Sequence, residues 1–291
     1  MIVRRFQVRK DACPSDPARH RPAMGRPRYL SRMLFSAVLP SGAVGSWSWA
    51  ERTHGRLRRR DRIELARQAV LAQLERLPRP WRGVLLSESG SLDLPDPPDS
   101  RLARAADARV RELSHPGLYA HCMRTWLFAT MFAARDRVAH DVELLYLACA
   151  LHDLGLVQAH DRRDPLAECF AVEGGRAARA LLSECGESED RARVVAEAIT
   201  LHLNITVPAR LGGEAYLLHK GAWLDVAGRS AHRLLPATLR HVVQRWPRDQ
   251  LAESLLSASA AQARARPHSR AAFIHSLPGA ARMIAANPLD R

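Results

Sequence analysis

Residues 143–156 read ELLYLACALHDLGL, an apolar run that closes on His152 and Asp153. The run has the length of a short helix, with Asp141 before it as a candidate N-cap and Gly155 near its end. A buried carboxylate without a partner is costly, so this pair should be bonded to a strong partner. A metal ion is one such partner, and other parts of the chain would have to supply its remaining ligands.

Helical patterns continue on both sides of this stretch, while the alternating pattern of β-strands is nearly absent. The Pro- and Asp-rich residues 91–100 form a linker that ends in a candidate N-cap at Asp99 or Ser100. Ser188, which two acidic residues follow, begins another helix. The predicted helices span residues 63–77, 101–113, 118–137, 142–153, 166–185, 191–203 and 214–228, with further helical pattern from Pro236 onwards. The sequence therefore predicts an all-α bundle.

The positive charge of the chain is concentrated at its N-terminal end. The 291 residues, 47% of them hydrophobic, carry a formal net charge of +14; residues 1–60 hold 14 basic against 3 acidic residues, a net of +11. These residues are rich in Arg, Pro, Gly and Ser without a sustained period, which predicts a flexible extension. We therefore predict three parts: a flexible extension at 1–60, a helix and linker at 61–100, and one helical domain at 101–291.

Hydropathy and cysteine usage indicate the class of protein. No stretch of about 18 or more apolar residues is present, so no transmembrane helix and no membrane partner are predicted. The five cysteines are an odd number without a CxxC motif, which favours a reduced, intracellular chain. We expect a cytoplasmic protein.

Polar side chains recur inside three of the apolar helices. His121, Arg124 and Thr125 follow the offsets i, i+3 and i+4 and so share one helix face. His152 and Asp153 end the next helix, and Asp225 stands in the apolar segment GAWLDVAG. The candidate metal ligands are two imidazoles and two carboxylates: His121, His152, Asp153 and Asp225. Such a set suits Zn²⁺, Fe²⁺ or Mn²⁺ and leaves coordination positions open for water.

The order His…His-Asp…Asp resembles the signature of the HD superfamily of metal-dependent hydrolases over residues 115–229, and within it the cyanamide hydratase-type branch. The segments that carry the resemblance are HCMRTW (121–126), ELLYLACALHDLGL (143–156), FAVEGG (170–175), AITLHLN (198–204) and LLHKGAWLDVAG (217–228). Ala171 departs from the branch pattern, in which Glu is usual, and this concerns the substrate pocket rather than the metal ligands. The resemblance implies an all-α HD-domain bundle, a bound zinc ion and the addition of water to a nitrile-like carbon.

Each candidate residue also has a structural interpretation. His121 alone reads as a core histidine, and Asp225 as a helix-end carboxylate paired with Arg229. Arg124 is an ion-pair residue, a substrate-binding group or a group that orients a carboxylate ligand. His202 lies on an apolar face and is expected to serve as a pocket residue or proton carrier beside a single metal ion.

Two further histidines complete the alternatives. A site with two metal ions would recruit His202 and His219, the spare histidines between the His-Asp pair and Asp225. The second His-Asp pair, His160-Asp161, lies among charged residues before a proline, which predicts a solvated loop rather than a metal site.

We therefore predict an enzyme that uses one divalent metal ion, Zn²⁺ with Fe²⁺ or Mn²⁺ as alternatives, to activate water on a small nitrile- or cyanamide-like substrate. His121, His152, Asp153 and Asp225 would hold the metal, and Arg124 and His202 would assist substrate binding or proton transfer. The prediction includes no nucleic-acid partner and is compatible with a homo-oligomer.

Two rival interpretations remain. The first is a phosphohydrolase for a nucleotide or phosphate ester, in which Arg124 would neutralise phosphate charge. The second, from a different class, is a nucleic-acid-binding or regulatory protein that uses the basic residues 1–60 and keeps the His-Asp site for structure.

Overall fold

The computed structural model describes residues 42–74, 94–157 and 169–290. These residues form α-helices and short 3₁₀ turns, and no strand occurs among them, so the predicted all-α fold is confirmed for this part of the chain. The helices are α1 (Trp47–Thr53), α2 (Arg59–Leu74), α3 (Arg101–Leu113), α4 (Pro116–Asp136), α5 (Val142–Leu151), α6 (Phe170–Glu184), α7 (Glu189–His202), α8 (Gly213–Ala227), α9 (Pro236–Arg245), α10 (Leu251–Ala265), α11 (Arg270–His275) and α12 (Ala280–Ala285).

The helix ends follow local side-chain chemistry. Ser100, Asp141 and Ser188 each accept a hydrogen bond from a backbone N–H of the first turn, as predicted. The segment SHPG forms the predicted boundary between two helices; His115 caps α4 and Pro116 is its first residue. Capping of this kind fixes where each helix begins and therefore where its buried residues fall.

The core is organised around α4, which packs along α8 and against α5. Its central residues are buried on every side, and Phe128 and Phe132 are completely enclosed. Helix α7 packs between α6 and α8 and also contacts α5. Because α4, α5, α7 and α8 meet in one core, polar residues on their inner faces are forced into a shared, dry space.

Gly155 permits a close approach of two segments beside His152. Helix α5 ends at Leu151, and Leu154–Leu156 form a 3₁₀ turn against the start of α6. A Cβ atom on Gly155 would lie 1.9 Å from the carbonyl oxygen of Phe170. The sequence predicts that this glycine stops the helix; the structure shows that its small size lets α6 pack against the turn.

The predicted boundary at residue 60 differs from the structure. Residues 1–41 lie outside the described residues, but α1 and α2 fold against the start of α6 and against Ala271. Trp49 is 1% exposed, and its indole N–H donates to Asp61. A single helix of seven residues is too short to show periodicity in a segment otherwise rich in Arg and Ser, which explains the difference.

Helices α10, α11 and α12 pack on one another and contact the core through α4 and α8. None of the described helices combines the length and the apolar character that crossing a bilayer requires.

Gly155→Ala should lower the free energy of unfolding by about 1–3 kcal/mol, because the added methyl group meets backbone atoms that cannot move independently. Chemical denaturation followed by circular dichroism measures this. Gly117→Ala is the matched control, since its Cβ would meet the His115 side chain at 3.2 Å and backbone only at an ordinary 3.9 Å, and should change stability by about 0.5 kcal/mol or less. Equal stability of the two variants would contradict the tight packing at Gly155.

Candidate metal centre

Three of the four predicted ligands converge in the core. His121 Nε2 and His152 Nε2 lie 3.2 Å apart, and Asp153 Oδ2 is 3.5 Å from the first and 3.3 Å from the second. None of the three residues is more than 4% exposed. These atoms are close enough together to hold one metal ion, and their imidazole and carboxylate chemistry fits a divalent ion such as Zn²⁺, Fe²⁺ or Mn²⁺.

The orientation of both imidazoles is fixed from behind. His152 is the C-cap residue of α5, and its Nδ1 is 2.8 Å from the carbonyl oxygen of Cys149, which can only accept a hydrogen bond. His121 Nδ1 is 2.6 Å from Asp225 Oδ2. Both rings therefore carry a proton on Nδ1 and direct Nε2 toward the cluster, where a bound metal ion would take the place of any proton on Nε2; this is the arrangement that metal-binding histidines use.

Asp225 occupies a different position from the other three predicted ligands. Arg124 donates to both of its oxygens, at 2.8 and 2.9 Å, and Arg248 donates to Oδ1 at 2.5 Å. The suggested pair with Arg229 does not form; Arg229 donates to the carbonyl oxygen of Ile205. In this structure Asp225 holds the far side of the His121 ring rather than facing the cluster.

Charges around Asp225 keep it ionised although it is completely buried. Burial opposes its ionisation, but the charge of Arg124, the hydrogen bond with His121 and the charge of Arg248 outweigh this and hold the pKa of Asp225 below its ordinary value. A carboxylate in this position fixes the tautomer and the ring orientation of a metal-binding histidine.

The sequence leaves three roles open for Arg124: substrate binding, an ion pair, or orientation of a carboxylate ligand. It is fully buried, and beyond its two bonds to Asp225 its Nη1 donates to the carbonyl oxygens of Trp246 and Pro247. These contacts engage every nitrogen of the guanidinium group. The geometry thus favours the orienting role over contact with a substrate.

His202 lies at the end of α7 with its Nε2 4.0 Å from Asp153 Oδ1. Its Nδ1 donates to the carbonyl oxygen of Ile199 at 2.6 Å, so Nε2 is the unprotonated atom. Burial, together with the charge of His152, lowers the pKa of His202 to about 3. The imidazole is therefore neutral and offers a hydrogen-bond acceptor beside Asp153.

His219 lies behind His202, because its Nδ1 donates to the His202 carbonyl oxygen at 3.0 Å. Burial holds the pKa of His219 well below its ordinary value. His219 is not among the residues that line the cavity beside the cluster. The three residues that could hold a metal ion, His121, His152 and Asp153, include neither His219 nor His202. This placement favours one metal ion over two.

Asp153 and His152 stabilise each other's charged forms. Burial opposes the ionisation of each, but the charge of His152 lowers the pKa of Asp153 and the charge of Asp153 raises that of His152. The Cys122 thiol, interpreted from the sequence as a packing group, also interacts with His152; burial raises the pKa of this thiol, so it stays protonated.

A cavity of about 140 Å³ opens from the cluster. His121, His152, Asp153 and His202 form one end of it, and most of the remaining wall is apolar. No lysine or arginine occurs among the described residues that line the cavity. Pockets for drug-sized ligands are typically about 300–1,000 Å³, so this one fits a small, uncharged molecule better than a nucleotide.

Several contributors to the site were not found from the sequence. Arg248 pairs with Asp225 and with Asp290, and Asn287 donates to the Asp225 carbonyl oxygen at 2.7 Å. Their sequence context shows no pattern that could have pointed to a buried role. The second pair, His160-Asp161, lies outside the described residues.

Comparison with known proteins identifies the helical core. The family model of the HD domain matches residues 118–235. The chain carries an HD domain. The matched range contains His121, His152, Asp153 and Asp225 in the order that the sequence resemblance predicted.

Two curated relatives extend the comparison. This HD protein is 27% identical over 156 residues to Cyanamide hydratase DDI2 of Saccharomyces cerevisiae, and equally to Cyanamide hydratase DDI3 of the same organism. Each alignment covers 52% of this chain and 68% of the relative. The chain is thus an HD-domain protein near the cyanamide hydratase branch.

Asp225→Asn and Asp153→Asn should affect metal binding differently. If Asp225 orients His121 without binding the metal, Asp225→Asn weakens metal affinity by about 10–100-fold but still reaches one metal ion per chain at saturation. Asp153→Asn removes a ligand and should leave almost no metal. Elemental mass spectrometry and competition with a chelator measure both quantities, with circular dichroism to check folding. Equal loss of metal in the two variants would make Asp225 a ligand itself.

Proposed function

We propose that this protein is a metal-dependent hydratase that adds water to the C≡N carbon of a small nitrile- or cyanamide-like substrate. The observation that carries this proposal is the position of the His121, His152 and Asp153 cluster at the polar end of a small apolar cavity. A short, uncharged electrophile fits such a cavity, and it can approach the cluster from the apolar side.

His121, His152 and Asp153 would hold the metal ion, which we propose to be Zn²⁺, with Fe²⁺ or Mn²⁺ as alternatives. Three protein ligands and an open position are the usual composition of a catalytic zinc site. A divalent ion there would supply Lewis-acid activation of water and of the electrophilic carbon. Asp225, predicted from the sequence as a fourth ligand, would instead keep His121 in the metal-binding orientation.

The side chains of this HD protein would guide the proton. His202 Nε2 is unprotonated and lies beside Asp153, so it can accept a hydrogen bond from the attacking water and orient it. The water oxygen bonds to the C≡N carbon, and the proton is passed on to the nitrile nitrogen. The resulting imidic acid rearranges to the amide, so that one water is added and nothing is released.

The position of Arg124 disfavours phosphohydrolase activity. That alternative needs Arg124 to neutralise phosphate, but every nitrogen of its guanidinium is bonded within the core. The cavity wall also offers a phosphate no lysine or arginine among the described residues. We therefore place a neutral small molecule, not a phosphate ester, in the site.

A nucleic-acid-binding role finds less support than enzymatic activity. Part of the basic N-terminal segment, residues 42–60, folds against the domain core instead of extending from it. A truncation that tests the basic arm must therefore stop before residue 42, since removal of Trp49 would expose the second core cluster. We also propose a cytoplasmic location, in keeping with four buried free cysteines in the described part of the chain.

The direct test is steady-state turnover of cyanamide and of simple alkyl nitriles, with p-nitrophenyl phosphate as the rival substrate. We expect formation of urea or amide, and a decrease in kcat/KM of more than about 100-fold in Asp153→Asn, because loss of a ligand exceeds the usual effect of an orienting group. His160→Ala is the control and should retain activity. Phosphate release without amide formation would contradict the proposed reaction.

A further inference from the structure

The cavity wall that faces the cluster comes from the C-terminal part of the chain. Helices α10, α11 and α12 supply it, and all three lie outside the range that the HD model matches. Most of this wall is apolar: Leu255, Ala258, Ala271, Ile274, Met283 and Ile284. A molecule bound in the cavity would therefore contact a segment that the HD model does not match.

Two polar side chains interrupt this wall. Ser259 and Gln262 are three residues apart on α10 and so lie on the same helix face. The Ser259 hydroxyl is 3.1 Å from His275 Nδ1 and shares a hydrogen bond with it. The Ser259 hydroxyl thus has a hydrogen-bond partner on α11, whereas Gln262 contacts Arg266 on its own side of α10.

The orientation of the Gln262 amide is fixed by a charged neighbour. Arg266 Nη1 lies 2.6 Å from Gln262 Oε1, and a guanidinium can only donate, so the atom that faces Arg266 must be the oxygen. The amide nitrogen then points away from Arg266. Gln262 is 8% exposed, and its Nε2 makes no hydrogen bond to another described residue.

An amide N–H₂ group that lines an apolar cavity loses its hydrogen bonds with water when a ligand fills the cavity, which is costly unless the ligand supplies an acceptor. Gln262 and the metal-binding cluster line the same cavity, Gln262 from α10 and the cluster from α4 and the end of α5. A ligand that fills the cavity therefore satisfies both ends only if it carries an acceptor at the end remote from the reacting group.

We propose that the substrate is a nitrile with an apolar body and a hydrogen-bond acceptor, such as a carbonyl or ether oxygen, at its far end, and that Gln262 Nε2 binds this acceptor. The proposal rests on the proposed nitrile chemistry of the same site. Cyanamide has three non-hydrogen atoms and carries no carbonyl or ether oxygen for Gln262. Gln262 accordingly determines specificity, while the cluster performs the reaction.

The test compares two nitriles of similar shape, 5-oxohexanenitrile and 5-methylhexanenitrile. The first carries a carbonyl oxygen at the position where the second carries a methyl group. The unmodified protein should prefer the ketone by about 10-fold or more in kcat/KM, because the unpaired amide penalises the analogue. Gln262→Glu keeps an oxygen for Arg266 but removes the donor, and Gln262→Leu removes both. Each variant should lose the preference, whereas Ser259→Ala should retain it.

Binding of the same two nitriles by isothermal titration calorimetry separates this inference from the proposed reaction. Preferential binding of the ketone without amide formation would support the Gln262 contact and contradict the proposed hydratase activity. Turnover of both nitriles at equal kcat/KM would overturn the inference and leave the proposed hydratase activity intact. A preference for the ketone that persists in a Gln262→Glu variant with an unchanged melting temperature would do the same. Failure of both nitriles to bind would also overturn it.

Discussion

The buried carboxylate of Asp225 is the contact on which the site depends. It links α8 to α4 through Arg124 and His121, and to the chain after α9 through Arg248. One carboxylate with two guanidinium partners is expensive to bury, and only a complete set of hydrogen bonds makes it tolerable. The hydrogen bonds that stabilise the buried carboxylate of Asp225 also fix the orientation of the His121 ring.

This constraint explains why the helical core and the site could be anticipated together. Polar residues inside apolar helices must find partners, and in the sequence alone that requirement points to His121, His152, Asp153 and Asp225, of which the first three converge in the cluster. Helix caps such as Asp141 were predictable because they act within one turn. Local chemistry and helical period thus account for the elements and for three of the residues that converge.

What could not be predicted depends on contacts between distant segments. The side chain of Asp225 can point toward the cluster or toward the back of the His121 ring. The spacing of these residues in the sequence is the same in both cases, so the sequence does not distinguish them. Arg248 reaches Asp225 from a turn after α9 whose sequence carries no buried-residue pattern. The charge of residues 1–60 likewise concealed Trp49, because composition averages over a buried helix of seven residues.

We propose that His121, His152 and Asp153 bind one metal ion while Asp225 holds His121 from behind. A crystal structure of the zinc-loaded protein, with the ion located by anomalous scattering, tests it most directly. We predict one ion, with the Nε2 atoms of both histidines at about 2.0–2.1 Å and an Asp153 oxygen at about 2.0–2.2 Å. An Asp225 oxygen at the same bonding distance, or a second ion at His202 and His219, would contradict the claim.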